Sequence, residues 1–290
     1  MISKEKRNEV LRMNKIGFKK SVIAKNTGLA ASTITSIINT RKRVLVISDP
    51  HCGHKSGLTP PNWQRNDQQA ETWDWYENRV KELNADILFC MGDMTEGKGR
   101  RSGGSELIES TWIGQIDMAQ EVIETTRCKT VEMVYGTPCH TGEEEDYELE
   151  ISKRIGARIH SHAFPKVKGI QFDLKHKIGS SNVPHGRSTA LMRSKLWNTL
   201  WAERDQQPNS DIILRGHVHY HDFTGNYYFK AMTMPALQGW GSKYGERQCE
   251  GIVDTGLVWF DIREGDTLQT LGWGVDIPLL KCHKVKIYSL

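Results

Sequence analysis

The sequence predicts an α/β body over residues 44–290, preceded by a small all-α module over residues 1–43. Three observations carry this division. From residue 44 onward, short apolar strand-like runs alternate with amphipathic helical ones. Before it, three short apolar runs repeat at helical spacing. The charge is also split. Residues 1–43 hold eleven Lys/Arg and two Asp/Glu, a balance of +9, which leaves −5 for the rest of a chain whose net charge is +4.

A length of 290 residues allows a sizeable core. With 38% apolar and 26% charged residues, the composition excludes a wholly disordered chain. No apolar stretch nears the ~18 residues of a membrane span, so no membrane partner is expected. The first residues form no signal-like apolar region, and the six cysteines (52, 90, 128, 139, 249, 282) form no CxxC. A cytoplasmic protein with reduced thiols is expected.

In the module, Val10, Leu11 and Met13 close one helical run. Val22, Ile23 and Ala24 open a second, which stops at Gly28. Ile34, Ile37 and Ile38 share one face of a third. Gly28 suits a tight turn between helices. Residues 21–38 resemble a helix-turn-helix of the phage-repressor and transposase kind. The resemblance implies that Ala24 packs between helices and that Ile34 and Ile38 are core. It also implies that Ser32, Thr33, Thr35, Ser36 and Asn39 face a DNA major groove. Arg41, Lys42 and Arg43 follow and are expected to add phosphate contacts. The basic balance makes DNA the expected partner. Such modules often bind in pairs, so a homodimer is a further expectation. A plain helical bundle that packs on protein is the alternative.

In the body, residues 44–48 read as a buried strand and 67–83 as a helix with Trp73, Tyr76, Val80 and Leu83 on one face. Residues 86–91 and 130–135 are further strands, with a helix over 107–126 between them. A Thr141…Glu144 capping pattern precedes a helix over 146–155. Residues 170–177 and 212–215 are strands flanking a helix over 190–203. Short strands and Gly-rich turns follow residue 222. Trp63, Trp73 and Trp75 read as core or cap aromatics.

Each early strand runs into metal-capable residues. The ends read Ser48-Asp49-Pro50-His51, Gly92-Asp93-Met94-Thr95-Glu96-Gly97, Gly136-Thr137-Pro138-Cys139-His140, Asp173-Leu174-Lys175-His176 and Gly216-His217-Val218-His219. Ligand sites in open α/β folds form at the carboxyl ends of strands, so five such ends can converge on one site. Carboxylate with imidazole suits Mn, Fe, Zn or Ni. A central carboxylate such as Asp93 can bridge two metals, and a metal pair can activate water and clamp phosphoryl oxygens.

In this order, these motifs resemble those of the calcineurin-like metallophosphoesterases, over roughly residues 44–275. The resemblance implies a β-sandwich flanked by helices and two divalent metal ions, manganese foremost, with iron, zinc or nickel acceptable. It implies Asp49, His51 and His219 on one metal, Asp93 as the catalytic bridge, and His176 and His217 on the second. His140 would be the general acid or an electrostatic stabiliser. The third motif departs from the family's Gly-Asn-His. It is two residues longer and lacks the Asn, so Thr137 could approach the metal, or His140 could itself be a ligand, with Glu143 within reach in sequence.

His185 is an alternative to His176, which is favoured because it ends an apolar strand. Arg187 could bind a phosphate. His54, His160 and His162 read as loop or surface histidines, and His221, a third alternate His after Gly216, reads either as a support behind the ligands or as an exposed residue. The expected activity is metal-dependent hydrolysis of phosphodiester bonds in DNA, with the module recruiting the enzyme. The alternatives are a phosphatase for phosphoprotein, nucleotide or small phosphate esters, or a DNA-binding regulator with an inactive body.

Overall fold

The computed structural model describes residues 2–38, 40–142, 144–181, 183–242 and 253–281. At the N-terminal end, α1 (Lys4–Lys15), α2 (Lys20–Thr27) and α3 (Ala31–Ile38) pack pairwise. They enclose a core of Val10, Met13, Ile23, Ile34, Ile37 and Ile38, with Ala24 packed against it. Ser3 caps α1 by accepting from the Lys6 N–H at 3.2 Å. Gly28 ends α2 with φ 66°, the left-handed conformation that favours glycine.

Strand β1 (Lys42–Ile47) begins two residues before the strand expected at 44–48 and so includes Lys42 and Arg43. The three cations expected on a DNA backbone are engaged by body groups. Arg43 holds Asp261 through Nε and Nη2, both at 2.7 Å, and donates Nη1 to the Leu83 carbonyl at 2.8 Å. Arg41 reaches the same Asp261 at 3.1 Å, and Lys42 pairs with Asp86 at 2.7 Å. These partners lie far away in sequence, so the charge run alone does not reveal them. Asn39 lies outside the described residues.

Two sheets make up the body. The first has the order β11-β10-β1-β2-β3-β4. Here β2 is Ile87–Cys90, β3 Thr130–Val134, β4 Arg158–His160, β10 Leu257–Ile262 and β11 Gly272–Asp276. The second has the order β5-β6-β7-β9-β8. Here β5 is Lys166–Val167, β6 Ile170–Lys175, β7 Ile212–Arg215, β8 Asp222–Gly225 and β9 Lys230–Thr233. Strands β1 to β4 run parallel, as do β6, β7 and β9.

Alternate side chains of the parallel strands serve two layers. Val44, Val46, Phe89 and Met91 meet Phe172, Leu174, Ile212 and Leu214 between the sheets. On the outer face of the first sheet, Leu45, Ile47, Leu88 and Cys90 pack against α4 (Asp67–Leu83), α5 (Trp112–Thr125) and α7 (Tyr147–Ile155). Both faces of this sheet are therefore covered, which accounts for its continuous apolar strands. The second sheet carries α8 (Arg187–Ala202) through Ala190, Leu191, Ile213 and Ala231. The result is a mixed α/β fold of two sheets flanked by helices. Trp73 is buried, and Trp63 and Trp75 pack against the same core, as the core reading requires.

One helix start and one helix cap differ from the sequence expectation. Thr111 caps α5, because residues before it form a loop in which the Glu109 carboxylate accepts the Thr111 N–H at 2.7 Å. Asp146 caps α7 by accepting from the Leu149 N–H at 2.8 Å, in place of the Thr141…Glu144 pattern. Among the described residues, no helix is long and apolar enough to cross a membrane.

The outer face of the second sheet buries an ion pair. Asp173 accepts from Arg215 at 2.7 Å and pairs with His162 at 2.8 Å. Burial opposes ionisation of Asp173, but the His162 hydrogen bond and the Arg215 charge outweigh it and hold the carboxyl below its ordinary 3.8. A depressed folded value means stabilisation that is complete above the unfolded value and lost as pH falls through the folded one. The Asp173→Asn variant should therefore flatten the acid limb of the stability curve below about pH 4. Chemical denaturation at stepped pH measures this, and wild-type and variant curves that stay parallel below that pH would contradict it.

Candidate metal centre

The site stands at the carboxyl ends of the parallel strands. Asp49 (φ 51°), His51 (φ 45°), Asp93 (φ 51°), His217 (φ 76°) and His219 (φ 56°) all have left-handed backbones. Such conformations cost non-glycine residues about 1–3 kcal/mol each and cluster at functional sites. Hydrogen bonds between neighbouring loops impose them here. Asp49 N–H donates to Gly92 O, His51 N–H to Asp93 O and Cys52 N–H to Met94 O, each at 3.1 Å. The loops approach so closely that a Cβ on Gly136 would lie 2.1 Å from Asp93 Oδ1. Only glycine fits there.

Among the described residues three groups could hold a metal ion, and two of them are built on these strand ends: Asp49, His51 and His219, and Asp93, His176 and His217. In the first, His219 Nε2 lies 3.2 Å from Asp49 Oδ1 and 3.2 Å from His51 Nε2. In the second, His176 Nε2 lies 3.1 Å from Asp93 Oδ2. The same Asp93 oxygen is 3.9 Å from His51 Nε2, so Asp93 stands between the groups.

Neighbouring groups aim the imidazoles. His51 Nδ1 donates to Glu96 Oε2 at 2.8 Å, and His176 Nδ1 donates to the Met91 carbonyl at 2.7 Å. Both rings therefore turn Nε2 inward, the arrangement metal-ligating histidines use. Asp49 Oδ2 is satisfied by the Ser48 hydroxyl and by the His217 N–H, but Asp49 Oδ1 is buried without a hydrogen-bond partner. A buried anionic oxygen without a donor is costly. It faces two imidazole nitrogens, and the donor set of carboxylate and imidazole is that of a borderline divalent cation. The residues fit such an ion.

Thr137 enters this centre. Its N–H donates to Asp93 Oδ1, and its hydroxyl lies 3.2 Å from Asp93 Oδ2, 3.2 Å from His176 Nε2 and 3.1 Å from His217 Nδ1. His140 packs edge-on to His51, with ring centroids 4.6 Å apart, and donates Nδ1 to the Glu96 carbonyl at 2.8 Å. Its ligand-capable nitrogen also groups with His51 and Glu96. Glu143 lies outside the described residues.

The electrostatics follow from burial and crowding. Burial opposes the charge on Asp49, but His219, His176 and His51 overcome it and hold the carboxyl far below the usual range. Asp93 is likewise held low, by His176 and His51 against burial. Burial and the neighbouring His140 and His219 push His51 well down. Burial opposes protonation of His140, but a side-chain hydrogen bond with Cys139 and the charges of Asp93 and Glu96 raise it to about 10.

Two further carboxyls pack against this centre. Glu96 is buried beneath His51 and His140. Sequence reasoning does not single out Glu148, in the first turn of α7. It is fully buried and accepts the Met94 N–H at 3.0 Å and the Gly136 N–H at 2.7 Å, tying two strand-end loops together. Burial and the charge of Asp93 raise it to about 7. Only its spacing from the third motif could have signalled this.

Other candidates lie elsewhere. His185 is exposed on a short turn and does not join either group, whereas His176, favoured at the strand end, does. Arg187 stacks on Tyr220 with its guanidinium carbon 4.1 Å from the ring centroid. His54 is buried rather than solvated, bonded to Ser56 at 2.8 Å. His162 pairs with Asp173, and His221 bonds the Thr233 carbonyl at 2.9 Å; neither is a free surface group. His160 is half exposed, as expected.

No protein-family model matches the chain. No curated protein matches it either. Several solved structures do. Vps29 from Entamoeba histolytica, in complex with zinc, is 14% identical over 81% of this chain and 98% of its own, with a TM-score of 0.44. A novel archaeal phosphodiesterase is 10% identical over 81% and 99%, with a TM-score of 0.47. An uncharacterised conserved protein from Streptococcus pneumoniae, titled a predicted phosphoesterase, is 9% identical over 82% and 99%, with a TM-score of 0.36. These likenesses are distant, and the chemistry of the site rests on its own geometry.

Titration with Mn²⁺, followed by calorimetry, should give two ions per chain. Asp93→Asn should weaken both sites, since Asp93 stands between the groups, by about 10–100-fold. His140→Ala should leave the count at two. A count of two in which Asp93→Asn changes nothing would contradict the assignment.

Proposed function

We propose that the chain is a dinuclear-metal phosphoesterase of the calcineurin-like kind, that it cleaves phosphodiester bonds of DNA, and that manganese is its working metal. The observation that carries this reading is the pair of ligand groups at the strand ends, joined through Asp93. Asp49, His51 and His219 would hold one ion, His176 and His217 the other, with Asp93 shared. Bound there, the ions supply an activated water and charge neutralisation for an in-line displacement at phosphorus.

The chain's own residues set the rest. Asp93, His140, His217 and His219 line one cavity of about 230 Å³, room for a phosphoryl group and the ester atoms beside it. Glu96 holds His51 through its carboxylate and His140 through its carbonyl, so the two rings keep a fixed relation. In the metal-free chain, and against burial, a hydrogen bond with Cys139 and the charges of Asp93 and Glu96 raise His140 to about 10 and so favour a proton on its ring. It is positioned to give that proton to the departing alkoxide or to stabilise charge on a phosphoryl oxygen. Thr137 stands in the second group beside His176 and His217, and fixes Asp93 through two donors.

The DNA assignment rests on the three-helix module. Ser32 and Ser36 are exposed on α3, with Thr33 and Thr35 half-buried beside them. The Lys20 ammonium reaches the Thr35 hydroxyl at 3.2 Å, and Lys19 and Lys25 stand exposed nearby. A helix-turn-helix could bring this face to a major groove, and a paired copy could read a two-fold site. The modest cavity favours a second reading, a phosphatase for small phosphate esters.

Cleavage of labelled duplex and single-stranded DNA with added Mn²⁺ separates the two. Wild-type protein should cut, and Asp93→Asn should lose activity by about 100-fold or more. A protein holding two ions that hydrolyses a monoester but leaves both DNAs intact would move the assignment to the phosphatase.

A further inference from the structure

A second cavity, of about 350 Å³, lies on the outer face of the second sheet beneath α8. Period-two alternation places it. Along β6 and just beyond, Leu174 points between the sheets and His176 joins the candidate metal centre. Asp173, Lys175 and Lys177 point outward into this cavity. One strand thus carries a candidate metal ligand on one face and cations on the other.

The cavity is built for an anion. Its floor is the buried Arg215, neutralised by Asp173. Lys175, Lys177 and Arg193 surround it, and among the described residues none of the three has a carboxylate within ion-pairing distance. Three unpaired positive charges face one hollow in a body whose overall balance is negative. Elsewhere the body pairs such groups, as with Arg43, Arg79 and Arg154. The Arg193 guanidinium is brought to the rim over Gly179, whose Cβ would lie 3.4 Å from Nη2.

Its wall is aromatic. Trp197 and Trp201 line the same hollow and are 55% and 39% exposed. The Arg204 guanidinium lies 5.8 Å from the Trp201 ring centroid, which leaves Trp197 as the more exposed indole. An exposed indole beside cations supplies the two parts of a stacking platform for nucleic-acid strands. A phosphate meets the cations while a base lies on indole, and neither contact requires a particular sequence.

We propose that this cavity is a binding site for single-stranded nucleic acid, separate from the metal centre and from the three-helix module. One phosphate sits among Lys175, Lys177 and Arg193, and the adjoining base stacks on Trp197. The site does not depend on metal or on hydrolysis, so it stands or falls apart from the proposed activity.

The test is an anisotropy titration of a labelled twelve-nucleotide single strand with the full chain in excess EDTA, at two salt concentrations. Circular dichroism melts verify that each variant is folded. The Lys177→Glu/Arg193→Glu variant should bind about tenfold or more weakly, with a shallower salt dependence. Trp197→Ala should lose about fivefold or more, and Trp197→Phe should recover most of it. Affinity for a duplex of the same length should be unchanged in all three. Strand affinity equal to wild type in both the charge-reversal and Trp197→Ala variants would overturn the proposal. So would loss of affinity for free thymidine monophosphate without loss for the strand. Sedimentation showing that Trp197→Ala only breaks a dimer, with strand affinity intact, would assign the tryptophans to a second copy of the chain instead.

Discussion

Five left-handed backbone positions at the strand ends are the constraint on which the site depends. At Asp49, His51, Asp93, His217 and His219 the chain leaves a strand and turns at once, so each side chain points back over the sheet edge. A relaxed extended exit would send alternate residues to opposite faces and scatter the ligands. The turns are unfavourable in isolation, at about 1–3 kcal/mol each. Two sheets with covered faces hold them, and the loops lock one another by backbone hydrogen bonds and by the close contact at Gly92 and Gly136.

That geometry concentrates negative charge. Asp49, Asp93, Glu96 and Glu148 are all buried around one edge. The imidazoles hold the two aspartates ionised, while burial raises Glu96 and, with Asp93, Glu148. A bare centre of this kind repels a phosphate ester. Cations must come first, and a phosphate can then be drawn in. The opposite face of the second sheet has the reverse character, with unpaired cations and no need of metal. A single strand, β6, separates the two electrostatic environments.

Much of this was legible because strands are local. The five polar strand ends, the alternation of strands and helices and the reason for preferring His176 to His185 all follow from where an apolar run stops. The rest depends on pairing across the fold. Nothing in the local sequence marks Glu148, which α7 presses against the Met94 and Gly136 amides. Arg41, Lys42 and Arg43 look like free cations until β1 sets them beside Asp86 and Asp261. His54 looks solvated until Glu106 and Gln238 close over it. The basic cavity needs β6, β7 and α8 together, and no contiguous segment announces it.

The central claim is that two ions are held side by side with Asp93 between them. Anomalous diffraction at the manganese edge, from crystals grown with Mn²⁺, tests it most directly. Two peaks about 3.5–4 Å apart are predicted. One should lie among Asp49, His51 and His219, the other among His176, His217 and Thr137, with an Asp93 oxygen between them. A single peak, or a peak bound by Glu96 and His140 in place of either group, would contradict it.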